Sequence, residues 1–241
     1  MYICFAGGFV GFNKSMLDKK IAFFPKNNFT WHGFCYTIGM ELVKNSVSGI
    51  SGELKTEIVR KSIHFLVAFV PAIAAVSRPF AIVFLVAGTL AYIYIENLRL
   101  LGIRVPVVSS LIGMAARSRD RGRFVLGPVT LGLGAVFTLL FFPPPFAAIA
   151  IYALAFGDGF ASIVGKFLGR LRPAFLYGKS IEGSLACFFA VLISAYWVSL
   201  DFRLALIAAA CATSVEALPL GDYDNLALPV SVGLLVTLAA F

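Results

Sequence analysis

The sequence predicts an all-α protein, a polytopic bundle of about seven transmembrane helices. Sixty per cent of its 241 residues are hydrophobic and only 13% are charged, and the mean hydropathy is +0.92. A soluble domain of this length could not bury so much apolar surface. From Arg60 onwards, long apolar stretches alternate with short polar ones, as expected for helices that cross about 30 Å of hydrocarbon.

The first fifty-two residues differ from the rest of the chain. Residues 1–52 mix Phe, Gly, Asn and Lys without a period, and they contain no apolar run long enough to span a bilayer. They also lack the arrangement of a signal peptide. We therefore divide the chain into an N-terminal segment of uncertain structure, residues 1–52, and a transmembrane catalytic domain, residues 53–241.

Seven apolar segments predict the spans of that domain. Pro79 suits the first turn of a helix, and the run Pro143–Pro145 can continue neither neighbouring helix, so both mark boundaries. The predicted spans are Lys61–Ser77, Pro79–Asn97, Phe124–Phe142, Phe146–Leu168, Gly183–Ser199, Arg203–Leu218 and Leu226–Phe241.

The distribution of Lys and Arg predicts the orientation of these spans, because cytoplasmic loops carry an excess of both. One set of helix ends holds only Arg78, Asp201 and Arg203 among charged residues. The opposite set is strongly basic, which places it, and the N-terminus, in the cytoplasm. It holds Arg60, Lys61, Arg99, Arg104, Arg117, Arg119, Arg121, Arg123, Lys166, Arg170, Arg172 and Lys179.

The net charge of +8 has the same explanation. The basic residues flank apolar spans and leave no compact basic fold, so we exclude nucleic acid as a partner. The four cysteines show no metal-type spacing, and we interpret them as small apolar residues.

The fourth predicted span carries a carboxylate in an apolar setting. Asp158, Ser162, Gly165 and Gly169 recur at helical spacing on one face. A carboxylate within a span is costly and marks a functional site, although an ion pair with another helix is the alternative. Gly165 and Gly169 also form a small-xxx-small pair, which is typical of close helix packing.

A cationic turn precedes the fifth span, in the segment Gly178-Lys179-Ser180-Ile-Glu182-Gly183. Ser180 can cap the helix, whose N-terminus favours an anion, and Lys179 adds a compact positive charge. The turn suits phosphate but is not a Walker A loop, because Pro173 replaces the first glycine of that motif. Taken alone, Lys179 is equally explained as a cytoplasmic loop charge.

Acidic residues collect between the sixth and seventh spans, where Glu216, Asp222, Asp224 and Asn225 lie within ten residues. Oxygen ligands at that density suit Mg²⁺ holding a nucleoside triphosphate. An ordinary solvated turn with Pro219 and Gly221 is the alternative.

Two more polar clusters lie at the basic helix ends. Arg60, Lys61 and His64 share the start of the first span, and Glu96 with Asn97 ends the second. The arginine-rich run from Arg117 to Arg123 suits lipid headgroups or a polyphosphate.

Topology unites these weak signals, since all five groups fall at one predicted face of the membrane. A cationic turn, several carboxylates and a membrane-embedded site together indicate phosphoryl or nucleotidyl transfer to a lipid headgroup.

Several of these motifs, in this order and spacing, resemble the polyprenol kinase family, which includes dolichol kinase, phytol kinase and CTP-dependent diacylglycerol kinase. The resemblance covers roughly Arg60 to Phe241. It rests on Arg60-Lys61-x-x-His64, the segment leading to Phe124-Val-Leu-Gly127, Asp158-Gly-Phe-Ala-Ser162 with Gly165 and Gly169, Gly178-Lys179-Ser180-x-Glu182-Gly183, and Glu216-Ala-Leu-Pro219 with Asp224-Asn225.

The resemblance implies transfer of the γ-phosphoryl group of CTP, with a divalent metal, to a lipid alcohol or diacylglycerol at the cytoplasmic face. Asp158, Glu182 and Asp224 are then the catalytic candidates, and Asp158 and Asp224 the Mg²⁺ ligands. Family members often carry consecutive aspartates before the asparagine, whereas Tyr223 separates Asp222 from Asp224 here. The residues assigned to CTP are Ser162, Gly165, Gly178, Lys179, Ser180, Gly183, Asn225, Arg60, Lys61 and His64.

Two alternatives stay open. Phosphatidate cytidylyltransferase has a similar Asp-x-x-Ala segment and Lys-Ser-x-Glu-Gly turn, but its C-terminal Gly-His-Gly-Gly signature is absent, since the only histidines are His32 and His64. A transporter or scaffold would explain Asp158 but not the Gly-Lys-Ser turn.

Overall fold

The computed structural model describes residues 56–103 and 122–240, and these residues form seven helices and no strand. The predicted fold class is therefore confirmed. The prediction for residues 1–52, and most of the arginine-rich run, lie outside the described residues. The helices are α1 (Thr56–Val76), α2 (Arg78–Leu100), α3 (Gly127–Phe141), α4 (Phe146–Phe167), α5 (Ile181–Ser199), α6 (Phe202–Glu216) and α7 (Asp224–Ala240).

All seven helices coincide with the predicted spans to within a few residues. Five of them, namely α1, α2, α4, α5 and α7, are long and apolar enough to cross a membrane. Helices α3 and α6 have 15 residues each, which corresponds to roughly 22 Å at 1.5 Å per residue and falls short of a full crossing. The protein is thus a polytopic membrane protein with two short helices within its bundle.

Local sequence explains where the helices begin. Pro79 lies in the first turn of α2, and the Ser77 side chain accepts a hydrogen bond from Phe80 N at 3.4 Å. The Asp201 carboxylate caps α6 by accepting from Arg203 N at 2.8 Å. Such caps satisfy amide groups that have no partner within the helix.

Helix α4 is the centre of the bundle. In the most apolar 18-residue stretch of α4, 61% of the residues are buried. In the corresponding stretches of the other four long helices, at most 33% of the residues are buried. Ile149, Leu154 and Val191 are fully buried in the main apolar core, and the alanine-rich face of α6 packs there against α5. Asp158 of α4, which is 4% exposed, is therefore surrounded by other helices.

Two helices contain irregular segments at membrane depth. Residues Ala153–Asp158 of α4 form a π-helical segment that ends at Asp158. Helix α1 tightens into a turn at Ala68 and Phe69, two residues before Pro71, whose ring nitrogen cannot donate to the preceding turn. π-Segments are frequent at functional sites, and no pattern in the sequence indicated this one.

Candidate functional site

A polar cavity of about 230 Å³ lies where the ends of α1, α4, α5, α6 and α7 meet. Its charged lining comprises four cations and three carboxylates from segments far apart in the chain. These are Arg60, Lys166, Arg172 and Lys179, with Asp158, Glu216 and Asp224. The convergence expected from helix topology is therefore present in the structure.

Asp158 forms a buried charge cluster with α1. The Lys61 ammonium donates a hydrogen bond to Asp158 Oδ2, and His64 Nδ1 lies 3.2 Å from the same oxygen. The Lys61 side chain is fully buried. Because a buried carboxylate is costly without a partner, the pair fixes Asp158 at the wall of the cavity and ties α4 to α1.

Glu57 is a residue of this site that the sequence analysis missed. It is 2% exposed, and its carboxylate binds Arg60 Nη2 and Lys166 Nζ, each at 2.6 Å. Glu57 therefore bridges two cations of the cavity that are supplied by α1 and α4. It lies before the apolar run of the first predicted span, where one acidic residue among several polar ones carries no distinguishing pattern.

Lys179 contacts Glu216 at the end of α6. Its ammonium donates to the Glu216 carbonyl oxygen and lies 3.1 Å from Glu216 Oε1. Ser184 Oγ donates to the other carboxylate oxygen at 3.4 Å. Lys179 is thus more than a loop charge, since it joins the α5 turn to the C-terminal end of α6.

The turn before α5 is held by its own side chains. Ser180 caps α5, as predicted, by accepting from Gly183 N at 3.1 Å. Arg172 donates to Gly178 O at 2.7 Å and to Gly165 O at 2.8 Å. Arg172 therefore links the turn to the C-terminal end of α4 by hydrogen bonds.

Glu182 has a position that the prediction of a catalytic role did not anticipate. Its carboxylate accepts hydrogen bonds from Arg170 N at 3.0 Å and Leu171 N at 3.1 Å. These contacts hold the loop between α4 and α5, and Glu182 does not line the cavity.

Two of the predicted glycines, Gly165 and Gly183, lie where α4 and α5 pack closely together. A methyl group on Gly183 would lie 2.8 Å from Ala161 O and 3.1 Å from Gly165 Cα. Both Gly165 and Gly183 also line the cavity. Helix packing, the alternative offered for the small-residue pattern, thus accounts for these positions and at the same time leaves room for a ligand.

Asp224 and Asn225, adjacent in sequence, have different surroundings. Asn225 is fully buried, and its Nδ2 donates to Gly127 O at 3.1 Å and Thr130 Oγ1 at 3.0 Å, so it joins α7 to α3. Asp224 faces the cavity, and its Oδ1 is buried without a hydrogen-bond partner among the described residues.

The carboxylates of the cavity suit a metal only if a ligand supplies the remaining oxygens. Within residues 56–103 and 122–240, no three His, Cys, Asp or Glu side chains cluster as a metal site. Magnesium, however, is commonly held by one or two carboxylates together with substrate phosphates. The partnerless Asp224 oxygen beside Asp158 fits that mode.

A second cluster of polar residues holds the segment that leads into α3. Glu96 is fully buried, and Arg99 binds it with two nitrogens, each at 2.7 Å from a carboxylate oxygen. Glu96 Oε1 also accepts from Val125 N at 2.9 Å. This cluster does not line the cavity and has a structural role.

Most predicted site residues line the cavity, and four do not. Lys61 and His64 lie behind Asp158, Glu182 holds a loop, and Asn225 joins two helices. The predicted residues that do line it are Arg60, Asp158, Ser162, Gly165, Gly178, Lys179, Ser180, Gly183 and Asp224.

Comparison with curated proteins finds kinases of lipid alcohols. The chain is 31% identical to "Phytol kinase" of Synechocystis sp. over 157 residues, which is 61% of this chain and 66% of that protein. It is 30% identical over 166 residues to "Probable phytol kinase, chloroplastic" of Zea mays, covering 60% of this chain and 54% of the relative.

A shorter match has a different acceptor in its name. Over 62 residues the chain is 39% identical to "CTP-dependent diacylglycerol kinase 1" of Eremothecium gossypii, covering 26% of this chain and 20% of that protein. The chain thus spans less than two thirds of the length of these relatives. No family profile and no solved structure matches it.

Proposed function

Because this chain belongs to the polyprenol kinase family, we propose that it transfers the γ-phosphoryl group of CTP to the hydroxyl of a membrane lipid alcohol. The observation that carries this proposal is the cavity, in which four cations and three carboxylates meet at the ends of membrane helices. Phosphoryl transfer needs little covalent participation from protein, so positioning and charge neutralisation supply most of the catalysis.

The cations are arranged for the phosphates of the donor. Arg60, Lys166 and Lys179 approach the cavity from three helices or their ends. Its volume of about 230 Å³ is below the roughly 300–1,000 Å³ of sites that enclose a drug-sized ligand. The cavity therefore takes the triphosphate, while the nucleoside extends beyond it. CTP is the proposed donor because the relative from Eremothecium gossypii is named CTP-dependent.

Magnesium would be held by Asp224 and Asp158 together with the phosphates, as the partnerless Asp224 oxygen suggests. When bound, it would neutralise charge on the transferred phosphoryl group. Glu57 does not line the cavity, and both carboxylate oxygens of Glu216 have partners, Lys179 and Ser184, so neither residue is included in this set.

Asp158 is also the group proposed to contact the acceptor. Lys61 and His64 hold its carboxylate in place from the α1 side, so it can accept a hydrogen bond from the lipid hydroxyl. The new bond forms between the hydroxyl oxygen and the γ-phosphorus, the bond to the β-phosphate oxygen breaks, and CDP leaves. The hydroxyl proton passes through the Asp158 carboxylate to water.

The cavity is proposed to face the cytoplasm. It collects Arg60, Lys166, Arg172 and Lys179 at one end of the bundle, whereas Arg78 and Arg203 begin helices at the opposite end. The positive-inside rule supports this orientation, and the nucleotide is supplied on that side.

The test uses purified protein in liposomes with Mg²⁺, phytol or diacylglycerol, and CTP labelled at either the γ or the α phosphate. We expect label from the γ position to enter the lipid, with CDP as the second product. Transfer of α label with release of pyrophosphate would replace the proposal by a cytidylyltransferase. Transfer of neither label, in protein that is monodisperse and folded, would favour a transporter or scaffold.

A further inference from the structure

A second cavity lies beside the charged site, at membrane depth. It is an open groove of about 910 Å³ between α1, α4 and α5. Alanines on α1 and α5, among them Ala68, Ala72 and Ala190, leave space between the helices that larger side chains would fill. Phe156 and Phe160 of α4 form its floor.

The lining of the groove suits an apolar ligand. Its serine, Ser194, donates a hydrogen bond through Oγ to Val191 O at 3.2 Å within α5. The remaining lining is aromatic or aliphatic apart from the Tyr152 hydroxyl and the indole N–H of Trp197. A polar group placed there would lose hydration and find few partners.

Both helix irregularities border this groove. The turn of α1 at Ala68 and Phe69 lies on one wall, and Phe156 belongs to the π-helical segment that ends at Asp158. The segment places Phe156 on the groove side of α4 while Asp158 faces the charged cavity. A single local distortion of α4 therefore shapes both cavities.

Phe65 lies at the end of the groove that is nearest the charged cavity. The Phe65 ring packs on Gly159, where an added methyl group would lie 2.9 Å from two ring carbons, and it lies 5.2 Å from the Phe160 ring between centroids. Gly159 follows Asp158 directly. Lys61, whose ammonium binds Asp158, precedes Phe65 by four residues and thus lies on the same face of α1.

We propose that the groove holds the hydrocarbon tail of the acceptor alcohol and that the hydroxyl passes the Phe65 ring to reach Asp158. This inference rests on the proposed kinase function and adds the binding site of the acceptor. Because Gly159 has no side chain, the Phe65 ring packs directly on α4 and forms the barrier between the two cavities. Rotation of the Phe65 ring would open the path.

The depth of the groove sets which part of the tail is recognised. Phe65 and Ala72 mark its length on α1, which corresponds to about 11 Å at 1.5 Å per residue. One leaflet of the hydrocarbon core measures about 15 Å. The groove therefore contacts the carbons nearest the hydroxyl, and the end of a long tail lies in the bilayer.

Filling the groove tests this assignment by kinetics. Ala72→Trp and Ala190→Trp should each raise KM for phytol by at least about tenfold, because the indole displaces the buried tail, and leave KM for CTP unchanged. Matched controls are Ala75→Trp and Leu185→Trp, which alter exposed residues of the same two helices outside the groove. Equal phytol kinetics in groove and control variants would overturn the proposal.

A binding measurement separates this proposal from the kinase function. A phytol analogue with a photoreactive diazirine in its tail should label peptides around Phe65 and Phe160 in the full-length protein, and excess phytol should abolish that labelling. Labelling that phytol does not compete away would identify bulk lipid as the occupant and refute the inference. If competition occurs but no phosphoryl transfer is found, the tail site stands and the proposed reaction fails.

Discussion

The two ends of the helix bundle use their charged residues differently. At one end, Arg78 donates through Nε to Leu139 O at 2.8 Å and also contacts Phe142 O, so it caps the C-terminus of α3, and Asp201 caps the N-terminus of α6. At the other end, Lys61, Glu57 and Lys179 pair with partners on other helices. Arg78 and Asp201 therefore satisfy backbone groups at helix ends, whereas Lys61, Glu57 and Lys179 form ion pairs between segments far apart in the chain.

The difference shows how an apolar protein accommodates polar groups. A capping side chain satisfies backbone groups that every helix end leaves without partners. The hydrogen bonds to these groups offset the cost of burying the charged side chain. The Lys61–Asp158 and Glu57–Lys166 pairs join residues about a hundred positions apart in the chain. The Lys61–Asp158 pair is buried, whereas the Lys166 side chain of the second pair is 41% exposed. Because neither kind of pair contributes much net stability compared with apolar packing, the stability of the fold does not by itself account for them.

The largest expected effect follows from Asp158→Asn, compared with Asp201→Asn at the capped end. The first change removes the carboxylate that faces the charged cavity, and we expect kcat for γ-phosphoryl transfer to fall by at least about a hundredfold. Asparagine is itself a good cap, so Asp201→Asn should leave kcat unchanged. Both variants are assayed as monodisperse protein; near-normal turnover in Asp158→Asn would remove this residue from the site.

Lys179→Ala should come next in magnitude. The substitution removes a cation from the cavity, and we expect KM for CTP to rise by about tenfold, or 1.4 kcal/mol, while KM for the lipid stays the same. Arg203→Ala at the opposite end of the bundle is the control for loss of a positive charge. An unchanged CTP dependence would return Lys179 to the role of a loop charge.

Glu57→Gln tests the residue that the sequence did not indicate. Glutamine keeps the shape but leaves Arg60 and Lys166 without the charge that orients them, and we expect kcat/KM for CTP to fall by roughly three- to tenfold. Glu57→Asp should recover part of the loss. If both variants lose thermal stability but retain their kinetics, Glu57 is purely structural.

The smallest effect on activity is expected at the capped end. Arg78→Gln and Asp201→Ala each remove a helix cap and should lower the free energy of unfolding by about 1 kcal/mol, measured by thermal unfolding in detergent. Their phosphoryl-transfer kinetics should match those of the unmodified protein. A kinetic defect at unchanged stability would contradict the division between a capping end and a site-forming end.

Much of the fold was predictable because the membrane imposes simple rules on the sequence. A hydrocarbon layer of fixed thickness requires long apolar segments, and Pro79, Ser180 and Pro143–Pro145 mark the helix boundaries by their backbone chemistry. The clustering of Asp158, Lys179 and Asp224 was also predictable, since helices that alternate in direction bring alternate loops to one side.

The pairing of side chains was not predictable in the same way. Glu57 and Glu182 are both glutamates at helix starts, yet Glu57 bridges two cations while Glu182 accepts from backbone amides of a loop. Asp224 and Asn225 are neighbours, but one faces the cavity and the other joins α7 to α3. Helix rotation decides these outcomes, and periodicity fixes that rotation only to within a face.

The sequence by itself determined that this protein has membrane helices, where they begin and end to within a few residues, and which residues share one end of the bundle, because hydropathy and backbone chemistry are local properties. Only the tertiary structure decided which helices touch, that Lys61 and Asp158 pair, and that one π-helical segment contributes Phe156 to an apolar groove and Asp158 to a charged cavity. Those features depend on packing between distant segments, where angles and distances of a few ångströms select the partner.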